Sequence, residues 1–285
     1  MDGLSIIILI STIGKRIERV PEIMLEPRKD MSYIISWQID EDTANFHATT
    51  RSHNEDNPTA IYLRERNDVK LFPIHGRGLS ANRNNAIKEA QECTSDKDNT
   101  LFVLADDDIR LKSDWLDQLK ALASAEQGVD LLILQALTPD GHPLHHYPDK
   151  PFVYPHVPKG FYFNSMGMVL RGGRAWPSFD TRFGLGAPVL KMGEEDIFIR
   201  DCYKEGLRIS YYPQPLLITP AITTSSAYKS DSTLQMSKGA VLTLLHGSLF
   251  SLPRIFITAI KMRDSIPTLI HLRNMFKGWA YILKN

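Results

Sequence analysis

Three consecutive aspartates, Asp106, Asp107 and Asp108, follow an apolar run in the stretch TLFVLADDDIRL. Adjacent carboxylates repel one another, so they must stay hydrated or find a cation. Hard divalent cations take oxygen ligands such as these. The residues therefore allow two interpretations, a solvated acidic turn and a cation site at the end of a buried strand.

A second acidic cluster, Glu194, Glu195 and Asp196, opens the segment GEEDIF. Acidic side chains in the first turn of a helix are ordinary partners of the helix dipole. The Gly-rich stretch FDTRFGLGAP before them favours chemistry, because glycine lets the backbone approach a ligand closely. With two acidic clusters far apart in the sequence, one can hold a metal ion while the other accepts a proton.

An arginine occupies a position where an apolar residue is expected. The segment from Leu79 to Glu92 predicts a helix whose apolar face contains Ala86 and Ala90, and Arg83 falls in the middle of that face. A guanidinium group is costly to desolvate unless an anion meets it. Arg83 can form an internal salt bridge with an aspartate, extend its tip to solvent, or point at a phosphate near the aspartates.

The elements that position these residues alternate between predicted strands and predicted helices. Apolar or β-branched runs predict strands at LSIIILIST, MSYIISWQ, AIYLRE, VKLFPI and immediately before Asp106. Such an alternation predicts an α/β fold with a mostly parallel central sheet flanked by helices. In such sheets ligands bind beyond the carboxyl ends of the strands, where the three aspartates fall.

Further elements are predicted around these strands. Pro21 interrupts an irregular helix after the first strand, residues 39–58 form a loop with one short helix, and Ser113 caps a helix after the aspartates. The segment LLILQALTPDGHPLHH predicts a strand ending in an Asp-Gly turn, and GFYFNSMGMVLRGG predicts another strand. The helix that starts at the second acidic cluster is expected to stop at Gly206 and to lead into a strand.

The totals exclude several classes of protein. The formal net charge of zero over 285 residues argues against a nucleic-acid binder that relies on bulk positive charge. Two cysteines cannot form a disulfide framework, which favours a reducing cytoplasm. The apolar N-terminal run is too short to span a membrane and lacks a basic flank, so we expect a buried first strand rather than a targeting segment.

The C-terminal part, residues 238–285, is basic and apolar, with Asp264 as its single acid. Pro253 and Pro267 are expected to divide it into helical pieces. Two interpretations stay open: a helical appendix packed on the preceding domain, or an amphipathic basic surface on an anionic membrane leaflet. Its apolar residues suit a homodimer as well as a membrane.

Three segments in the same order resemble the landmarks of family 2 glycosyltransferases with the GT-A fold: GRGLSANRNNAIKEA, LFVLADDDIRL and FDTRFGLGAPVLKMGEEDIFIRDCYKEG. The likeness extends from about Leu4 to about Thr219 and is greatest to bacterial enzymes that build capsule, O-antigen or other surface polysaccharides. It implies a GT-A (nucleotide-diphospho-sugar transferase) domain at 1–229, with a nucleotide-binding half at about 1–110 and an acceptor-binding half at about 111–229. Residues 230–285 would be a C-terminal helical basic extension.

The resemblance also implies the site residues. The residues matched to nucleotide or phosphate contacts are Ser11, Thr12, Gln38, Arg83, Asp106 and Asp107. The residues matched to the DxD metal motif are Asp106 and Asp108, and those matched to the catalytic acid pair are Glu195 and Asp196. Asp196 would be the base, although the assignment can slip by one residue because Glu194 is adjacent. Many relatives carry a histidine metal ligand after the strand that follows this helix, and the segment LLITPAITTSS has none.

The implied reaction is metal-dependent, inverting transfer of a hexosyl or N-acetylhexosaminyl group from a nucleotide-sugar. The implied donor is a UDP-sugar with Mn²⁺ or Mg²⁺, and the implied acceptor is a growing surface glycan, linked to polyprenyl diphosphate. The enzyme would be cytoplasmic and peripheral on the inner face of the cytoplasmic membrane. The alternative is a non-catalytic relative that binds nucleotide-sugar or scaffolds a polysaccharide assembly complex.

Overall fold

The computed structural model describes residues 3–39, 57–220 and 227–285. The loop and short helix predicted for residues 39–58 fall almost wholly outside these ranges. Two compact units divide the chain: residues 1–77, 82–177 and 202–221 form the first, and residues 78–81, 178–201 and 222–285 form the second. The second unit therefore includes a segment before residue 230 that we assigned to the catalytic domain, and the boundary near residue 230 stays a prediction.

The central sheet begins with four parallel strands. Strand β1 (Ser5–Ile13) pairs with β2 (Met31–Ile39) on one side and with β4 (Thr100–Asp106) on the other. Strand β3 (Val69–His75) continues the sheet beyond β2. Long buried apolar runs form β1, β2 and β4, which lie inside the sheet and are covered on both faces, whereas β3 at the sheet edge is partly exposed. The predicted first strand, second strand and acid-ended strand are confirmed.

The remaining strands mix directions. Strand β8 (Met168–Arg171) runs antiparallel to β4 and to β6 (Leu131–Leu137), which in turn is parallel to β9 (Ile209–Ile218). The short strands β5 (Arg110–Leu111) and β7 (Phe152–Val153) pair antiparallel with β9. The sheet order is β3-β2-β1-β4-β8-β6-β9-β5, with β7 attached to β9. The predicted α/β architecture, a mostly parallel central sheet flanked by helices, is confirmed.

A 3-10 turn at Gly14–Arg19 leads into the first of eight α-helices in the described part of the chain. The helices are α1 (Val20–Ile23), α2 (Pro58–Glu65), α3 (Leu79–Cys93), α4 (Ser113–Ala125), α5 (Glu194–Lys204), α6 (Ser232–His246), α7 (Ser248–Lys261) and α8 (Thr268–Lys284). None of these described helices combines the length and the apolar character that a membrane-spanning segment requires.

The strand predicted at AIYLRE is wrong, because these residues belong to helix α2. The side chain of Asn57 accepts hydrogen bonds from the backbone N–H groups of Thr59 and Ala60, and Pro58 fills the first helical position. This combination of a capping asparagine and a following proline starts a helix whatever the β propensity of the next residues. Ala60 and Leu63 then bury one side of the helix.

Three smaller predictions also need correction. Ser113 is the first residue of α4 rather than its cap, because the extended residue before it is Lys112. Pro253 lies inside α7, and the chain breaks at Gly247 instead. In the segment GFYFNSMGMVLRGG only Met168–Arg171 is a strand. A 3-10 turn precedes it, in which the Asn164 side chain accepts a hydrogen bond from the Gly167 N–H group. The Asp-Gly turn, the end of α5 before Gly206 and the break at Pro267 are confirmed.

Each unit has its own apolar core. In the first unit, the inward-facing side chains of the sheet pack against α4 and the segment that follows β1. In the second unit, α6 and α8 cross so closely that a side chain at Gly239 or Gly278 would meet the backbone of the other helix. Helix α7 joins this pair through Ile255 and Ala259, which pack with Met275.

Candidate functional site

The carboxyl ends of β1, β2 and β4 bring together four of the residues matched to donor contacts. Parallel pairing places Ser11 beside Asp106, and it places Gln38 beside Ile13, the residue after Thr12. Ser11, Thr12 and Gln38 are buried at this edge of the sheet.

Asp107 is held from two sides. It is 2% exposed, and the Thr12 hydroxyl donates a hydrogen bond of 2.7 Å to its Oδ2. The Arg16 Nε donates to Asp107 Oδ1 at 2.8 Å, and Arg16 Nη2 makes a short contact with the same oxygen. These charge-assisted bonds raise the pKa of Arg16 and tie the turn after β1 to the turn after β4.

Asp106 pairs with Arg83, the arginine of the apolar face of α3. Arg83 is 4% exposed, and its Nη2 lies 3.2 Å from Asp106 Oδ1. The interpretation in which its tip extends to solvent is therefore wrong, and the internal salt bridge is present. The pairing with Asp106 holds the Arg83 guanidinium group beside the aspartates that follow β4. Contact between Arg83 and a phosphate of the sugar donor stays a prediction.

Two asparagines that the sequence reasoning missed hold α3 on the sheet. Asn82 Nδ2 donates to the Thr12 carbonyl at 2.9 Å, and Asn85 Nδ2 donates to Ser36 Oγ at 2.9 Å. Their signal was present in the segment NRNNA, a cluster of amide side chains in the predicted helix. These bonds fix the helix relative to β1 and β2, and they thereby fix Arg83.

Asp108 has an unfavourable environment for its negative charge. Burial raises the pKa of its carboxyl, repulsion by Asp106 raises it further, and Arg16 partly offsets both effects. Arg16 Nη2 lies 3.1 Å from Asp108 Oδ2, so a single guanidinium serves Asp107 and Asp108 together. Arg16 was not predicted, because it comes from the turn after β1, far from the aspartates in sequence.

The carboxylates at the end of β4 can be compared with the ligands that a divalent cation needs. No group of three or more His, Cys, Asp or Glu side chains within residues 3–39, 57–220 and 227–285 is arranged to hold a metal ion. Asp107 is buried and engaged by Thr12 and Arg16, whereas the Asp106 and Asp108 carboxylates, each with one guanidinium contact, are 23% and 35% exposed and can take a further ligand. Two carboxylates fit a hard cation that takes its other ligands from phosphate oxygens and water. They do not fit a site made of protein ligands alone.

The second acidic cluster opens α5 as expected. Gly184 of the Gly-rich stretch has φ +104°, and a Cβ there would lie 2.9 Å from the carboxyl carbon of Glu194 and 3.0 Å from Ser80 Oγ. The Ser80 hydroxyl in turn donates to the Phe183 carbonyl at 2.7 Å. The positive φ favours glycine here, and the close approach of the buried Glu194 carboxyl group favours it further. Glu194 is thus packed against the loop, whereas Glu195 and Asp196 are half-buried.

Asp196 has the property expected of a proton acceptor. Burial raises the pKa of its carboxyl, and the positive charge of Lys238 lowers it to a smaller extent. A carboxylate with a raised pKa holds a proton more readily and is a stronger base. The assignment of the base to Asp196 or Glu195 stays a prediction.

No family model and no curated protein matches the sequence. Among solved structures, that of residues 1–349 of S. aureus TarS matches with a TM-score of 0.50 and 11% identity, covering 98% of this chain and 89% of that one. The chain has the GT-A fold. A second TarS structure matches with a TM-score of 0.49 and 14% identity, covering 93% of this chain and 45% of that one.

At 11% identity the match establishes the GT-A fold and not the reaction. The roles of the strand-end residues and of the α5 acids therefore rest on their own chemistry. We call the group at the carboxyl ends of β1 and β4 the strand-end cluster. It consists of Thr12, Arg16, Arg83, Asp106, Asp107 and Asp108. It combines carboxylates, a hydroxyl and guanidinium groups at the sheet edge where α/β proteins bind their ligands.

Proposed function

We propose that the chain is a metal-dependent, inverting glycosyltransferase that moves a sugar from a UDP-sugar to a hydroxyl of a surface glycan. The observation that carries the proposal is the strand-end cluster, in which Asp106 and Asp108 lie with Arg16 and Arg83 at the carboxyl edge of the sheet. The GT-A fold supports it, because the resemblance that predicted this fold from sequence also implied the activity.

On the donor side, Asp106 and Asp108 would hold Mn²⁺ or Mg²⁺. The bound cation supplies neutralisation of the charge that develops on the leaving diphosphate. Arg83 offers a second positive group to the same phosphates, and its burial means that an anion there meets a poorly hydrated guanidinium. Ser11, Thr12 and Gln38 line the edge at which the nucleotide would bind.

On the acceptor side, Asp196 would take the proton from the attacking hydroxyl. Its raised pKa suits this role, because a carboxylate whose conjugate acid has a higher pKa binds a proton more tightly. Glu195 would bind hydroxyl groups of the sugars. A hydroxyl deprotonated opposite the leaving group attacks in a single displacement, which inverts the configuration at the anomeric carbon.

The finer assignments belong to the same proposal. They are membership of glycosyltransferase family 2, a hexosyl or N-acetylhexosaminyl donor group, and an acceptor of the capsule or O-antigen type linked to polyprenyl diphosphate. An enzyme with such an acceptor would work as a peripheral protein on the inner face of the cytoplasmic membrane.

The test is release of nucleoside diphosphate. The purified chain is incubated with Mn²⁺ or Mg²⁺ and a panel of nucleotide-sugars, and release is compared with that of Asp108→Asn and Asp196→Asn. We expect slow metal-dependent UDP release from one UDP-sugar, which the two substitutions abolish. Binding without turnover would contradict transfer and favour the scaffold alternative, and release of inorganic phosphate would indicate a hydrolase.

A further inference from the structure

Helix α7 exposes a continuous apolar face. At about 100° per residue, Leu249, Phe250, Phe256, Ile257 and Ile260 fall within roughly a third of the helix circumference, and all five are exposed. Leu249 and Phe250 are each 73% exposed. The opposite side of the helix is buried in the second unit through Ser251, Ile255 and Ala259. Helix α7 is thus apolar on the side it packs and on the side it presents to solvent.

Cationic side chains border this face. On α7, Arg254 and Lys261 are exposed next to the apolar residues in the helical projection. On α8, Arg273, Lys277 and Lys284 form an exposed stripe at about 100° per residue. Asp264 is the single acid in residues 238–285.

Helices α7 and α8 pack against each other as an antiparallel pair. Trp279 Nε1 donates to the Ser248 carbonyl at 2.9 Å, so the start of α7 meets the later part of α8. The rings of Phe256 and Phe276 meet edge to face at the middle of the pair, with centroids 5.7 Å apart. Leu269 and Ile270, at the start of α8, add two more exposed apolar side chains near the turn that joins the helices.

We propose that this pair of helices docks on the surface of an anionic phospholipid bilayer, with the α7 face at the acyl boundary and the cations at the headgroups. Contiguous exposed apolar surface on a soluble protein marks an interaction site. A helix with aromatic and aliphatic residues on one side and basic residues beside them matches the two layers of a bilayer interface.

Charge decides between a bilayer and a second copy of the chain. Two copies meeting through this face would bring Arg254 and Lys261 of each copy to the interface, and residues 238–285 of each copy contain a single acid, Asp264. Like charges opposed at an interface disfavour association. An anionic leaflet instead attracts each of these side chains.

This inference names the surface behind the peripheral membrane location of the proposed function, and it can be tested without sugar transfer. Vesicle binding needs neither donor nor transfer. A chain that binds vesicles but transfers no sugar would support the docking proposal and contradict the proposed function. A chain that transfers sugar but does not bind vesicles would do the opposite.

The test is co-sedimentation of the full chain with vesicles of phosphatidylcholine alone or mixed with phosphatidylglycerol. One variant, Leu249→Gln/Phe250→Gln, removes the two most exposed side chains of the apolar face, and another, Arg273→Glu/Lys277→Glu, reverses the stripe. The matched controls are Ile61→Gln/Val153→Gln and Lys150→Glu/Lys159→Glu, which change exposed residues of the same kinds in the first unit.

We expect binding to the anionic vesicles that weakens with added salt and falls roughly ten-fold or more in each variant, with both controls near the original chain. Thermal unfolding of all variants is measured alongside, so that a loss of binding by a folded protein can be read directly. Absence of binding to anionic vesicles would overturn the proposal, as would equal losses in variants and controls. A concentration-dependent dimer that the two α7 substitutions dissociate, with no vesicle binding, would assign the face to a second copy.

Discussion

The two acidic clusters of the chain have different electrostatic surroundings. At the end of β4, guanidinium groups lie at all three aspartates, because Arg16 serves Asp107 and Asp108 while Arg83 meets Asp106. At the start of α5, the raised pKa of Asp196 comes from burial, which one lysine partly offsets. Burial and repulsion by Asp106 raise the pKa of Asp108 as well, so the two clusters do not differ in the direction of the pKa shift. They differ in the positive groups that meet their carboxylates, and the guanidinium groups of the first cluster suit a site that also takes a cation and phosphates.

We expect the largest effect, a loss of kcat, from a substitution in the second cluster alone. Replacing Asp196 with asparagine removes the proposed proton acceptor, and general-base catalysis is worth roughly 10²–10⁴-fold in rate. We expect kcat to fall by that factor while binding of the donor nucleotide stays unchanged. The matched control is Asp201→Asn, which alters a carboxylate of the same helix that pairs with Arg200. Equal losses in both variants would show that α5 needs its charges for folding rather than for proton transfer.

Gly184→Ala tests whether the Gly-rich loop is shaped by Glu194. The new Cβ would press on a buried carboxyl group at a residue with positive φ, so we expect a loss of roughly 2–4 kcal/mol in the free energy of unfolding. Gly206→Ala is the control, because φ is +80° and a Cβ there meets no described atom within 4 Å. It should cost about 1–2 kcal/mol. Urea titration measures both, and equal costs would remove the argument that Glu194 is packed against this loop.

Arg16→Ala tests the first cluster. It would leave the buried Asp107 with its Thr12 hydrogen bond and without its charged partner, which we expect to cost about 1–3 kcal/mol. The Arg16 side chain is itself partly exposed, so solvent screening keeps the cost below that of a fully buried pair. Arg19→Ala, an exposed arginine in the same turn, should leave the free energy of unfolding nearly unchanged. A similar cost in both variants would contradict a specific role of Arg16 at the aspartates.

The smallest effect concerns the pH dependence of transfer. The positive charge of Lys238 favours the ionised form of Asp196, so Lys238→Met should raise the pKa of Asp196 further. The acid limb of the activity profile should then move to higher pH, because the base becomes protonated earlier as the pH falls. Lys229→Met, an exposed lysine of the same unit, should leave the profile in place. A shift to lower pH would contradict the assignment of the base.

The sequence sufficed for the elements that depend on short-range patterns. The buried runs of β1, β2 and β4 are long enough to identify, and the location of Asp106 at a strand end follows directly. The strand predicted over residues 60–65 was wrong, because the capping pair Asn57-Pro58 lies outside the window that suggested it. Pro253 was expected to break a helix and did not, because tertiary packing of Ile255 and Ala259 outweighs one lost hydrogen bond.

The candidate site could be predicted only in part. The acids themselves stand out by type and spacing, whereas their partners come from distant segments. Arg16 precedes Asp107 by 91 residues, and Asn82 reaches the Thr12 carbonyl across 70. Contacts of this kind depend on sheet register and helix docking, which single-sequence patterns do not specify. The apolar pattern of α7 does not reveal which of its two apolar sides is buried, since both have the same period.

The most direct test of the difference between the two clusters is calorimetric titration of UDP, with and without Mn²⁺, into the original chain, Asp108→Asn and Asp196→Asn. We predict that Asp108→Asn loses the part of the UDP affinity that depends on Mn²⁺, and that Asp196→Asn binds UDP and Mn²⁺ as the original chain does. If both substitutions weaken binding equally, or if Mn²⁺ leaves the UDP affinity of the original chain unchanged, the division into a cation-holding cluster and a proton-accepting cluster is wrong.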